Sequence, residues 1–78
     1  MSKIVYAGYG VYNETNNCTQ NVQQLYNGGQ RTFLADNNIG GGDPAPGQRK
    51  YLYIVWDQGT VPLSGVTGEG DSNGINVP

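Results

Sequence analysis

Apolar and polar positions divide this chain into short strands and one helical stretch. The longest apolar run is Tyr51-Leu52-Tyr53-Ile54-Val55-Trp56. Consecutive aromatic, β-branched and leucine residues bounded by turn formers predict a strand. Alternation sends Leu52, Ile54 and Trp56 to one face and Tyr51, Tyr53 and Val55 to the other. With apolar side chains on both faces, this strand belongs in the middle of its sheet. It is led in by Gly40-Gly41-Gly42-Asp43-Pro44-Ala45-Pro46-Gly47, a turn-forming stretch in which each proline holds φ at about −65°.

Residues 4–12 predict a first strand. Simple alternation groups Ile4, Tyr6 and Tyr12 with Gly8 and Gly10, and places Val5, Ala7, Tyr9 and Val11 opposite. The two glycines mark a bulge or a close approach, in the simplest case an aromatic ring lying on bare backbone. Residues 13–17 read as a polar connection. Over 18–27 the period changes, with Cys18, Val22, Leu25 and Tyr26 on one face of a helix. Asn17 is its expected N-cap, paired with Gln20 in a capping box, and Gly28 its expected C′ residue. A helix this short holds only when docked. Residues 30–35 predict a second strand, with Phe33 and Leu34 in the core. Asp57-Gln58-Gly59 reads as a three-residue hairpin connection. Residues 60–66 pair back, as an edge strand or a bulged one because of Pro62, and residues 75–78 form a closing strand after the polar turn 68–74. The expected fold is therefore mostly β (β-rich α+β), a small antiparallel β-sandwich with one short helix. Leu52, Ile54, Trp56, Val22, Leu25 and Phe33 are its expected core.

Composition narrows the reading. At 78 residues the chain is one domain, near the size below which small folds need staples. Its single cysteine, Cys18, cannot close an internal disulfide, so burial of aromatics must serve instead. Charged residues make up only 13% and the net charge is −2, which argues against a phosphate-backbone partner. The cations are Lys3, Arg31, Arg49 and Lys50. No apolar run reaches membrane-spanning length and the first residues form no signal-peptide core, so no membrane partner is expected. As written the chain reads as cytoplasmic, or as a mature secreted chain with an added methionine. Two N-x-T sequons, Asn13-Glu14-Thr15 and Asn17-Cys18-Thr19, bear on that second reading.

Candidate chemistry is thin. With no histidine and one cysteine, Ser-His, Cys-His and imidazole or thiolate metal sites fall together. Cys18, on an apolar face with no base to activate it, reads as a small core residue. The carboxylates all lie in predicted turns. The triple glycine lacks the lysine of a phosphate loop. Asp71-Ser72-Asn73-Gly74 begins like a calcium loop but has no distal glutamate. No cofactor or metal is expected, and no enzymatic role.

Tyrosine richness remains. Amphipathic rings beside amide and carboxylate loops suit sugars, and suit protein surfaces equally. The leading expectation is a lectin-like carbohydrate-binding module; the alternative is a protein–protein interaction or self-assembly domain. Recognition usually sits on loops carried by a rigid scaffold. Two loops carry suitable groups: Asp36, Asn37 and Asn38 with Asp43, and Asp71 with Asn73. Tyr9 or Tyr12 would supply the stacking ring. The competing account makes these Asp and Asn residues turn builders only. Sparse charge and open strand edges predict a weak homo-oligomer.

Several segments also carry a resemblance. Gly42-Asp43-Pro44-Ala45-Pro46-Gly47, then Lys50, Leu52, Ile54 and Trp56 at alternate positions, then Gly59, resemble the C-terminal domain of the mitochondria-associated DnaJ-like C11 proteins. Small stand-alone fungal and bacterial proteins of that domain type look similar. Tyr9-Gly10, Cys18-Thr19-Gln20-Asn21-Val22-Gln23-Gln24-Leu25, Gly68-Glu69-Gly70-Asp71 and Ile75-Asn76-Val77-Pro78 extend the likeness over most of the chain. Cys18 stands where that family has an acidic residue and Trp56 where it commonly has Tyr, and Asp71-Ser72-Asn73-Gly74 lengthens the last turn. The resemblance implies a fold and a non-enzymatic role, and carries over no catalytic residue.

Overall fold

The computed structural model describes residues 2–78. Its elements are β1 (Lys3–Val11), β2 (Glu14–Asn17), α1 (Thr19–Asn27), β3 (Thr32–Phe33), β4 (Tyr51–Asp57), β5 (Pro62–Gly68) and β6 (Ile75–Asn76). Four strands form an antiparallel sheet in the order β2-β1-β4-β5, and β3 pairs with β6 in a second one. This is the expected mostly-β fold with one short helix. The apolar run takes the inner position its composition demands, with β1 on one side and β5 on the other.

The two faces of β4 separate cleanly. Leu52, Ile54 and Trp56 are buried, whereas Tyr53 is exposed and Tyr51 and Val55 are half-buried. The inner residues join Ala7, Tyr9, Val22, Tyr26 and Phe33 in one core cluster. Each large side chain buried there stabilises the fold by roughly 1.5–3 kcal/mol. In β1 the alternation is not the simple one. A register shift between Ile4 and Tyr6 inserts Val5 as a bulge, so Ile4 points inward with Ala7 and Tyr9 while Tyr6 points out.

The structure corrects several local readings. Residues 14–17, expected to be a connection, form the edge strand β2; four polar residues give no periodic signal, yet the two-residue turn Tyr12-Asn13 folds them back on β1. The N-cap is Cys18 rather than Asn17, and Gln20 closes no capping box. The Asn17 carboxamide instead accepts the Thr19 N–H at 3.0 Å. At the other end Gly29, not Gly28, takes the left-handed conformation with φ 110. Bonds from Gly29 N–H to Tyr26 O and from Gln30 N–H to Leu25 O complete a Schellman motif one residue later than expected. Leu34 is exposed, not in the core, because β3 is only two residues long and Phe33 alone turns inward. Leu25 packs against the core from its margin. The β4–β5 connection spans residues 58–61, since Asp57 pairs with Pro62.

Tyr26 fastens residues 2 and 78 to the core. Its hydroxyl donates to Pro78 O at 2.6 Å and accepts the Ser2 N–H at 2.9 Å, and Ser2 Oγ donates to Pro78 O at 2.8 Å. Among the described residues no helix is long and apolar enough to cross a membrane.

Candidate functional site

The segment 36–50 is anchored by a buried lysine. Lys50 is 5% exposed, and its ammonium lies 3.2 Å from both Asp43 Oδ1 and Glu69 Oε1. It also donates to Gln48 O at 2.7 Å. Burial alone would lower its pKa; the two carboxylates outweigh that and hold it above the usual lysine value. Glu69 accepts the Lys50 N–H at 2.8 Å, and this bond and the ammonium keep its pKa below the ordinary carboxylate value despite burial. Tyr9 lies beneath, its hydroxyl 2.8 Å from Asn37 Oδ1 and 3.1 Å from Glu69 Oε2. Burial first, and then the neighbouring Glu69, push that phenol far above its ordinary range. Gly40 is required here: a Cβ at that position would stand inside the Tyr9 ring. This cluster is scaffold.

Tyr9 is 0% exposed, which removes it as a stacking ring. The carboxylates expected to meet a ligand make local bonds. Asp36 Oδ1 accepts the Ile39 N–H at 2.9 Å, and Asp43 Oδ1 accepts the Ala45 N–H at 3.1 Å. Asp71 Oδ2 accepts the Gly68 N–H at 3.1 Å, while its Oδ1 pairs with Arg49 at 3.0 Å. These are the bonds of turn builders. Asn37 is bound to Tyr9. Asn38 and Asn73 are exposed, and Asn38 lines a groove.

Of four grooves on the described surface, two are lined by expected site residues. One, about 430 Å³, runs between α1 and the 30–39 segment, with Asn21, Gln30, Asp36 and Asn38 around Leu25 and Leu34. Among the described residues it has no aromatic wall. The other, about 260 Å³, lies where the β1–β2 turn meets the start of β4, and is lined by Val11, Tyr12, Gln48, Arg49, Tyr51 and Tyr53. Tyr51 and Tyr53 are two residues apart on the outer face of β4, their ring centroids 6.4 Å apart and tilted by 41°. The Arg49 guanidinium lies 5.0 Å from the Tyr51 ring centroid and donates to the Tyr51 hydroxyl at 2.9 Å. Bonds to Glu69 O and Asp71 keep it in place.

Tyr12 completes this groove. It is 93% exposed and, at φ 49, is the one non-glycine residue with positive φ among the described residues. A bulky side chain in that region costs about 1–2 kcal/mol, and asparagine or glycine would be cheaper there. Of the expected site residues, Tyr12 lines the groove and Asp71 acts on it through Arg49. Gln48, Arg49, Tyr51 and Tyr53 were missed. In sequence Arg49 is one of four cations, and Tyr51 and Tyr53 are residues of a central strand.

The geometry defines a small β-rich α+β domain with an open, tyrosine-walled groove. Comparison with protein-family models, curated proteins and solved structures gives no match for this chain.

Proposed function

We propose that this chain is a non-catalytic, lectin-like binding module that takes a carbohydrate in the groove of Tyr12, Tyr51 and Tyr53. One observation carries the reading: an aromatic ring 93% exposed at a strained turn position, lining one groove together with two further rings and a fixed guanidinium. Rings of this kind stack on sugar C–H faces, while Arg49 and Gln48 offer hydrogen bonds to hydroxyls. A non-catalytic role is supported by the carboxylates themselves. Glu69 is engaged by the Lys50 N–H and ammonium and by the Tyr9 hydroxyl, and Asp71 is paired with Arg49, so neither is free to take up or release a proton at a substrate.

The family likeness of the 42–56 segment remains part of the proposal. Its Asp43 and Lys50 meet in the scaffold cluster, so the likeness bears on fold rather than on ligand. A second reading, protein binding or self-assembly, is supported by the open outer face of the four-stranded sheet.

The test is a glycan array, followed by calorimetric titration of its strongest hit. Tyr12→Ala is expected to abolish that binding with an unchanged Tm. An array without hits, or a hit that Tyr12→Ala still binds equally well, overturns the assignment.

A further inference from the structure

Among the described residues, nothing lies over the outer face of the four-stranded sheet. Tyr6 of β1, Tyr53 and Val55 of β4 and Val66 of β5 share this face by register. Tyr6, Tyr53 and Val66 are 39%, 38% and 58% exposed. The Tyr6 ring lies along bare backbone: a Cβ on Gly8 would stand 2.7 Å from its hydroxyl oxygen. The surface is therefore flat, and apolar along β1 and β4, with Ser64 of β5 and Thr15 and Asn17 of β2 as its polar members. Among the described residues no charge interrupts it between the Lys3–Asp57 pair at one end and Arg49 with Asp71 at the other.

We propose that this face is a self-association surface, covered by a second copy of the chain packed face to face. The proposal takes up the self-assembly reading and does not depend on glycan binding. Charge favours a second copy. In a two-fold arrangement with strands running oppositely, the Lys3–Asp57 end of one copy meets the Arg49–Asp71 end of the other. Each end carries one cation and one anion, so no like charges are forced together. Extent also fits. Three strands of at least seven residues and the four-residue β2, at ~4.8 Å spacing and ~3.3 Å rise, give a footprint of roughly 400 Å² in projection. Side-chain relief raises the accessible area above that figure, towards but short of the roughly 800 Å² per partner of a standard interface. The result is a weak, concentration-dependent dimer. Sheets packed in this way sit about 10 Å apart, leaving Tyr12 and Arg49 at the rim.

Sedimentation velocity over a wide concentration range tests this on the full chain. The wild type is expected to shift from monomer to dimer as concentration rises. Val66→Lys, which places a charge on an already exposed position of the face, is expected to remain monomeric with an unchanged Tm. Tyr12→Ala should dimerise like the wild type, which keeps failure of the groove assignment distinct from failure of this one. A second measurement reads the face directly: the ring resonances of Tyr6 and Tyr53 should shift with concentration while the side-chain resonances of Val22 and Phe33 do not. A wild type that stays monomeric at millimolar concentration overturns the proposal, and so does a Val66→Lys chain that associates as well as the wild type.

Discussion

The two faces of β4 carry apolar side chains in equal number, yet they stand in opposite surroundings. Leu52, Ile54 and Trp56 share one core cluster with residues of α1, β3 and β1, and are 0%, 0% and 7% exposed. Tyr51, Tyr53 and Val55 meet solvent, one another and Arg49. Composition alone does not separate these faces; chemistry of the side chains does. The inner set is aliphatic with one indole, suited to dense packing. The outer set is led by tyrosines, whose hydroxyls tolerate water and whose rings still offer a large contact area. One strand thus serves a core and a surface at once, and a surface of this kind is suited to being covered.

Changes on the inner face should be the most damaging. Leu52→Ala or Ile54→Ala is expected to cost about 2–5 kcal/mol, a large share of the stability of so small a domain. Chemical denaturation measures it, and a near-wild-type midpoint would remove β4 from the centre of the core. Gly40→Ala comes next, at about 1–3 kcal/mol, because the new methyl must displace the Tyr9 ring. An unaltered Tm in the Gly40→Ala chain would mean that the ring is free to move.

The scaffold cluster gives the comparison a pH axis. Glu69 ionises more readily folded than unfolded, so its contribution is complete above the ordinary carboxylate range and is lost as pH falls below about 4.3 towards the lower folded value. Tyr9 and Lys50 keep their protons longer in the folded chain. Their contribution is complete below about pH 10 and disappears as pH rises from there through the higher folded values. Tm should therefore fall at both extremes, and Tyr9→Phe should flatten the alkaline limb. A limb of the same slope in Tyr9→Phe would exclude the phenol as a contributor.

The outer face should give the smallest effects on stability. Tyr53→Ser is expected to change it by about 0.5 kcal/mol or less. Tyr12→Asn should raise it by up to about 1 kcal/mol by relieving the positive φ, while removing a wall of the groove. If Tyr12→Asn destabilises the chain instead, the ring contributes to folding and its exposure is no argument for a ligand.

Much of the fold was legible. The apolar run of β4 and the helical period of Cys18, Val22, Leu25 and Tyr26 are strong signals, since burial on a regular element imposes a regular spacing. β2 was not legible, because an edge strand of Glu, Thr and Asn buries almost nothing. The inward turn of Ile4 was also hidden: a bulge at Val5 resets alternation without any glycine or proline to announce it. The site was harder still. Tyr9 and Tyr12 look alike in sequence, three residues apart in the same segment, and differ only in which side of β1 and its turn they leave. Lys50 is one of four cations in sequence, and its burial depends on Asp43 and Glu69, which reach it from outside its own strand. Pairings of that range leave no local mark.

The hydroxyl of Tyr26 gathers residues 2 and 78 to a single point, so the main chain traces nearly a closed ring. Where such a ring is cut matters little to its hydrogen-bond ladder. A short glycine-serine bridge from Pro78 back to Ser2, with a new opening between Gly59 and Thr60, would make β5 the leading strand and β4 the last without altering a single register. The order in which this backbone is synthesised is thus separable from the shape it adopts.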